Sequence, residues 1–202
     1  MPSGALGLSL EVVHYPHPVL RHASKPVAKV DQQLRDWIAE MFTLMYEHQG
    51  IGLAANQVAL PYRLFVINVT GDPKQPEHER VYINPVISKG KGLGDREEGC
   101  LSLPDVHGNV TRNSMIHVQS YDLSGNEIEE TIDDLHARVV LHETDHLDVV
   151  LFTDKLSPGE KAEVDGLLYE FELDWKSRQQ TGEAPSDEQI AARIAELEAE
   201  RC

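Results

Sequence analysis

The sequence predicts an α+β fold, and three observations carry that reading. Apolar runs of strand length are bounded by turn-forming residues, with two of them joined as a hairpin within residues 115–132. Only three or four helical patterns accompany them. Helices and strands do not alternate strictly, as a doubly wound parallel sheet would require. The chain has 202 residues, 41% of them hydrophobic, which is enough for one globular body with a sizeable core.

Residues 11–30 are punctuated by Pro16, Pro18 and Pro26, which remove backbone donors and disfavour helix, so an extended strand and a turn are expected there. Asp31 is a good helix N-cap. After it, Leu34, Ile38, Met41, Phe42 and Met45 fall on one helical face, giving an amphipathic helix that stops near Gly50. The stretch GIGLAANQV then offers glycines and small residues suited to close backbone approach. Apolar runs at 63–68 and 81–87 read as strands around a polar loop, and segments 115–122 and 127–132 flank the turn signal LSGN. Ile116 and Val118 mark the first arm of that hairpin, Ile128 and Ile132 the second. A helix over about 133–148 carries Leu135, Ala137, Val139, Val140, Leu141 and Leu147 on several faces, the pattern of a buried helix. A third helical pattern starts near Pro158. Residues 1–175 are therefore expected to form the body, and 176–202 a linker followed by a helical tail carrying Ile190, Ile194 and Leu197.

Charge narrows the function. With 18 Lys and Arg against 34 Asp and Glu, the formal net charge is −16, which disfavours nucleic-acid binding and docking on anionic lipid. No window approaches the length and apolarity of a spanning helix, and the first ten residues have no basic stretch before their short apolar run. A cytoplasmic location is expected. Two cysteines, Cys100 and Cys202, are too few for a disulfide framework.

The sharpest motif is HETDH at 142–146. His142 and His146 are four residues apart on a helix, so both imidazoles leave one face and can hold one metal ion. Glu143 lies about 100° round the helix, near a metal-bound water. The alternative is a pair of core histidines satisfied by hydrogen bonds, yet two histidines and an acid on an apolar helix are costly to bury without a partner. A catalytic metal needs a third protein ligand and an open position. No histidine follows within a dozen residues, and Asp148 and Asp154 match poorly. Cys100, in EEGCLSLP, is a candidate, against the alternative of a small buried hydrophobe.

GIGLAANQ at 50–57, EGCLS at 98–102 and HETDHL at 142–147 resemble, in order, the three signature motifs of the peptide deformylase family, and YPHPVLRHASKPV resembles that family's N-terminal stretch. The resemblance covers residues 11–158. It implies antiparallel sheets around a central helix bearing HExxH, with a C-terminal helix, and removal of the N-formyl group from the initiator methionine of nascent polypeptides. It implies that Cys100, His142 and His146 hold one divalent metal ion, Fe2+ in the cell, with Zn2+, Ni2+ or Co2+ able to take the same site. Glu143 would be the general acid and base, while the Gln57 side chain and the Leu101 N–H would meet the developing oxyanion. Substrate would lie along Gly50, Ile51, Gly52 and Glu98, the last two offering backbone groups to a peptide bound as an added strand. Leu135 and Val139 would line a pocket for the methionine side chain, although plain core packing explains them equally well.

The sequence departs from the family pattern at Leu141, where Gln is common, and at Val149, where Gly is common; Asn56 occupies a variable place. An ion pair between Arg112 and Asp145 is expected to orient the helix. Relatives often end in a basic helix that docks on the ribosome, whereas 176–202 carry four basic and six acidic side chains. Ribosome contact is therefore expected to be transient. Two rival readings remain: an HExxH endopeptidase, which needs a third ligand after the helix, and a metal-stabilised interaction module, which needs a closed four-ligand site.

Overall fold

The structure, a computed structural model, describes residues 9–202; residues 1–8, most of the stretch read above for a leader signal, lie outside the described residues. Helix α1 (Gln32–Glu47) starts where Asp31 Oδ1 accepts from Leu34 N at 2.9 Å. The strands follow as β1 (Gly52–Ala54), β2 (Leu64–Ile67), β3 (Arg80–Lys91), β4 (Gly94–Cys100), β5 (Leu103–Arg112), β6 (Met115–Tyr121) and β7 (Glu127–Asp133). Helices α2 (Asp134–Leu147), α3 (Pro158–Thr181) and α4 (Asp187–Arg201) complete the chain.

One antiparallel sheet has the order β1-β2-β3-β6-β7, and β4 pairs with β5 in a second, two-stranded sheet. Strand β2 shows how the core is built. All four of its residues are buried because side chains alternate between faces and both faces are covered. Leu64 and Val66 pack with Leu34, Trp37, Ile38, Met41 and Met45 of α1, while Phe65 and Ile67 pack with Ala137, Val139, Val140 and Leu147 of α2. The sheet thus separates two apolar clusters, and α2 sits against the inner face of β1, β2, β6 and β7. Strand β7 passes into α2 without a loop, with Asp134 at φ +50° making the corner.

Two expectations need correction, and one strand had not been expected. Residues 11–30 form no strand: they run as irregular chain with one 3-10 turn (Pro18–Arg21), because their donors bond outward, Val13 N to Gln57 O and Tyr15 N to Ser102 O. The segment from Lys176 is no linker at first. Its Lys, Arg and Gln residues continue α3 to Thr181, and the break falls at Gly182, whose φ of +79° suits glycine as the helix C-cap. Ser186 then caps α4. Finally, residues 94–100 were not read as a strand: GDREEGC is charged and mostly exposed, and β5 supplies its pairing.

Helix α4 returns to the body. Ile190 and Ile194 pack with Val19 and Leu20, and Leu197 joins the α1 cluster. No helix among the described residues is long and apolar enough to cross a membrane.

Candidate metal centre and substrate cleft

Helix α2 carries His142, Glu143 and His146, and the turn between β4 and β5 brings Cys100 over them. The ligand atoms of Cys100, His142 and His146 all lie within 4.8 Å of one another. Cys100 Sγ is 3.2 Å from His146 Nε2. His142 turns its Nδ1 to Glu98 Oε2 at 2.9 Å; a carboxylate only accepts, so Nδ1 donates and Nε2 is left for the thiolate side.

Charge collects at this point. Burial alone lowers the basicity of His142, but its bonds to Cys100 and Glu98 outweigh that and push it up to about 10, while burial holds neighbouring His146 well below its ordinary value. Buried His146 Nδ1 has no hydrogen-bond partner among the described residues, so the protein alone does not satisfy this cluster. Burial pushes Glu143 up to about 7, and its Oε2 has no protein partner among the described residues. One thiolate, two imidazoles and a lone carboxylate oxygen beside them fit a metal with a water.

A cleft of about 910 Å³ opens over these groups. Gly50, Ile51, Gly52, Gln57, Glu98, Cys100, Leu101, Leu135, Val139, His142 and Glu143 line it, whereas His146, Arg112 and Asp145 lie behind its wall. Among the described residues the group that could hold a metal has three protein ligands, and two of them, Cys100 and His142, face the cleft. Gly52 is needed for close approach: a Cβ there would collide with Glu143 Oε1 and come within 2.9 Å of Val139 Cγ1. Gln57 is fixed by its own amide oxygen, which accepts from Ala54 N at 2.8 Å. Its Nε2 therefore points to Ser102 Oγ (3.2 Å) and Cys100 Sγ (3.3 Å).

Leu135 is 38% exposed and is a cleft residue, which corrects the core alternative; Val139 belongs to both the cleft wall and the α2 cluster. Arg112 Nη1 lies 2.6 Å from Asp145 Oδ2, with Lys155 Nζ 3.0 Å from the same oxygen. Sequence reasoning gave Glu98 only backbone work. Its buried carboxylate in fact accepts from Arg112 Nε (2.6 Å), Arg112 Nη2 (2.8 Å) and Arg138 Nη1 (2.5 Å) as well as from His142. Burial opposes ionisation, but the bonds from His142 and Arg112 hold Glu98 well below the usual carboxylate range. Arg138, Ser102 and Asn56, whose Nδ2 donates to His146 O at 2.6 Å, were also missed. The available signal was their place within or beside the three motifs; Arg138 is the one base among nine acids in residues 122–148.

A profile of the polypeptide deformylase family matches residues 9–162. A protein of Rhodopirellula baltica named peptide deformylase is 45% identical over 193 residues, covering 95% of each chain. Among solved structures, a peptide deformylase from Plasmodium falciparum superposes with a TM-score of 0.80 at 37% identity, covering 83% of this chain and 98% of that one. One from Legionella pneumophila gives 0.74 at 34% identity, over 87% and 99% of the two chains.

Proposed function

The chain belongs to the peptide deformylase family, and from that premise we propose how its residues remove the N-formyl group from the initiator methionine of new polypeptides. The observation that carries the proposal is the convergence of Cys100, His142 and His146, with Cys100, His142 and Glu143 lining an open cleft.

Cys100, His142 and His146 would hold one divalent metal ion, which when bound would supply a positive centre that acidifies water and polarises the formyl oxygen. Glu143, raised by burial to about 7, accepts the proton of the attacking water as the new C–O bond forms. Gln57 Nε2, already aimed into the site, and the Leu101 N–H donate to the oxyanion as its charge grows. When the C–N bond breaks, Glu143 returns the proton to the departing amine, leaving formate and a free N-terminus. Gly50, Ile51, Gly52 and the Glu98 backbone receive the peptide, and Leu135 and Val139 receive the methionine side chain. Arg112 and Asp145 tie the end of β5 to the last turn of α2 and so hold the helix in place.

The donor set suits Zn2+, Fe2+, Co2+ and Ni2+ by softness. Fe2+ in the cell is the proposal, on the strength of the family, and metal analysis after anaerobic purification tests it. Action in the cytoplasm, with only transient contact at the ribosome, accords with the net charge of −16, which repels RNA. Metal-loaded protein given a formyl-Met peptide is expected to release formate and to leave internal bonds of unblocked peptides uncut. Internal cleavage without formate release would install the endopeptidase reading instead.

A further inference from the structure

We propose that Arg138 is a positioning residue for the metal centre, acting through Glu98. Arg138 is buried on α2, one turn before His142, and its guanidinium makes three bonds in different directions: Nη1 to Glu98 Oε1 (2.5 Å) and to Val110 O (2.9 Å), and Nη2 to Gly94 O (2.6 Å). Those two carbonyls belong to β5 and β4, so one side chain fastens both strands of the small sheet to the helix that bears the histidines. Glu98 in turn orients His142. Asp145 is shared by Arg112 and Lys155, so Arg138 gives Glu98, a carboxylate 6% exposed, a guanidinium that it does not share with Asp145. Only a planar fork reaches all three acceptors at once. Arg138 also lines the cleft, with Leu135 and Val139.

The inference rests on the metal site proposed above, and its test needs no substrate. Zn2+ affinity is measured by chelator competition, and the Co2+-substituted protein gives an absorption spectrum that reports ligand geometry. Arg138→Met, which keeps the stem and removes all three bonds, is expected to bind Zn2+ about 10–100-fold more weakly and to shift the Co2+ bands. Arg138→Lys, which retains the charge without the fork, is expected to fall between it and the unaltered protein. A folded Arg138→Met protein with unaltered Zn2+ affinity and an unaltered Co2+ spectrum overturns the proposal. If that variant does not fold, Arg138→Gln carries the same test with the same two outcomes. Unaltered protein that binds Zn2+ through Cys100 yet releases no formate would remove the deformylase reading and leave this inference standing.

Discussion

Val149 follows the last turn of α2 at φ +70°, a left-handed conformation that a β-branched side chain adopts only under strain. This is the position after the helix C-cap, Asp148, where glycine is the favoured residue, so the departure noted in the sequence has a physical consequence. Strain of this kind costs on the order of 1–3 kcal/mol, and glycine's extra freedom in the unfolded chain takes back about 0.5–1 kcal/mol. Val149→Gly is therefore expected to raise stability by about 1 kcal/mol in denaturant unfolding, and a loss of stability would contradict the strain. Gly52 shows the opposite case, because the carboxylate of Glu143 already fills the space a side chain would need. His142, Glu143 and His146 were legible as candidates from the spacing of HETDH, whereas Cys100 and Gln57 took their roles only from the family resemblance. The carboxylate of Glu98 and the fork of Arg138 were not legible, since an ion network across β4, β5 and α2 leaves no period in the sequence.

Elements were legible in proportion to their patterning. The α1 stripe and the apolar runs of β2, β3, β6 and β7 announced themselves, whereas β4 did not, being charged and held by its partner. The C-terminal helix and its apolar residues were recognised, but the polar anchor at its end was not. Arg201 is buried where its guanidinium lies 4.9 Å from the Trp37 ring, donates to Tyr62 Oη at 3.0 Å and lies 3.2 Å from Asp31, the α1 N-cap. Tyr62 Oη in turn donates to Leu197 O at 2.9 Å. Helix α4 is thus part of the core around α1. Leu197→Ala is expected to cost about 2–4 kcal/mol while leaving turnover of the folded enzyme unaltered. The same truncation at exposed Leu173 on α3 should cost less than about 0.5 kcal/mol. Equal losses at the two sites would contradict this account of α4.

At the scale of the whole molecule, acidity is distributed with a purpose that can be read. Strand β7 ends the large sheet and exposes Glu127, Glu129 and Asp133, which discourages pairing of that edge with another chain. The N-terminal segment is held across the body by ion pairs such as Arg21 with Asp154 and also by one buried neutral ring. His17 Nδ1 accepts from Val19 N at 3.2 Å, the ring meets Trp175 of α3 edge-on at 5.2 Å, and burial lowers the pKa of His17 to about 4. Its value in the unfolded chain is the ordinary 6.5, so the unfolded state takes up the proton first. Stability from this group is full above pH 6.5 and drains away as the pH falls through about 4. His17→Asn, which can still cap Val19 N, should show a shallower loss of stability over that interval; an equal slope would rule out His17 as a contributor.

The most direct measurement concerns Glu143. The variant Glu143→Gln keeps the shape of the side chain and all three metal ligands, and removes only the group that carries the proton. Loaded with metal to the same stoichiometry, it is expected to release formate from a formyl-Met peptide about 10²–10⁴-fold more slowly than the unaltered enzyme. Metal-replete Glu143→Gln protein that deformylates within a few-fold of the unaltered rate would contradict the assignment.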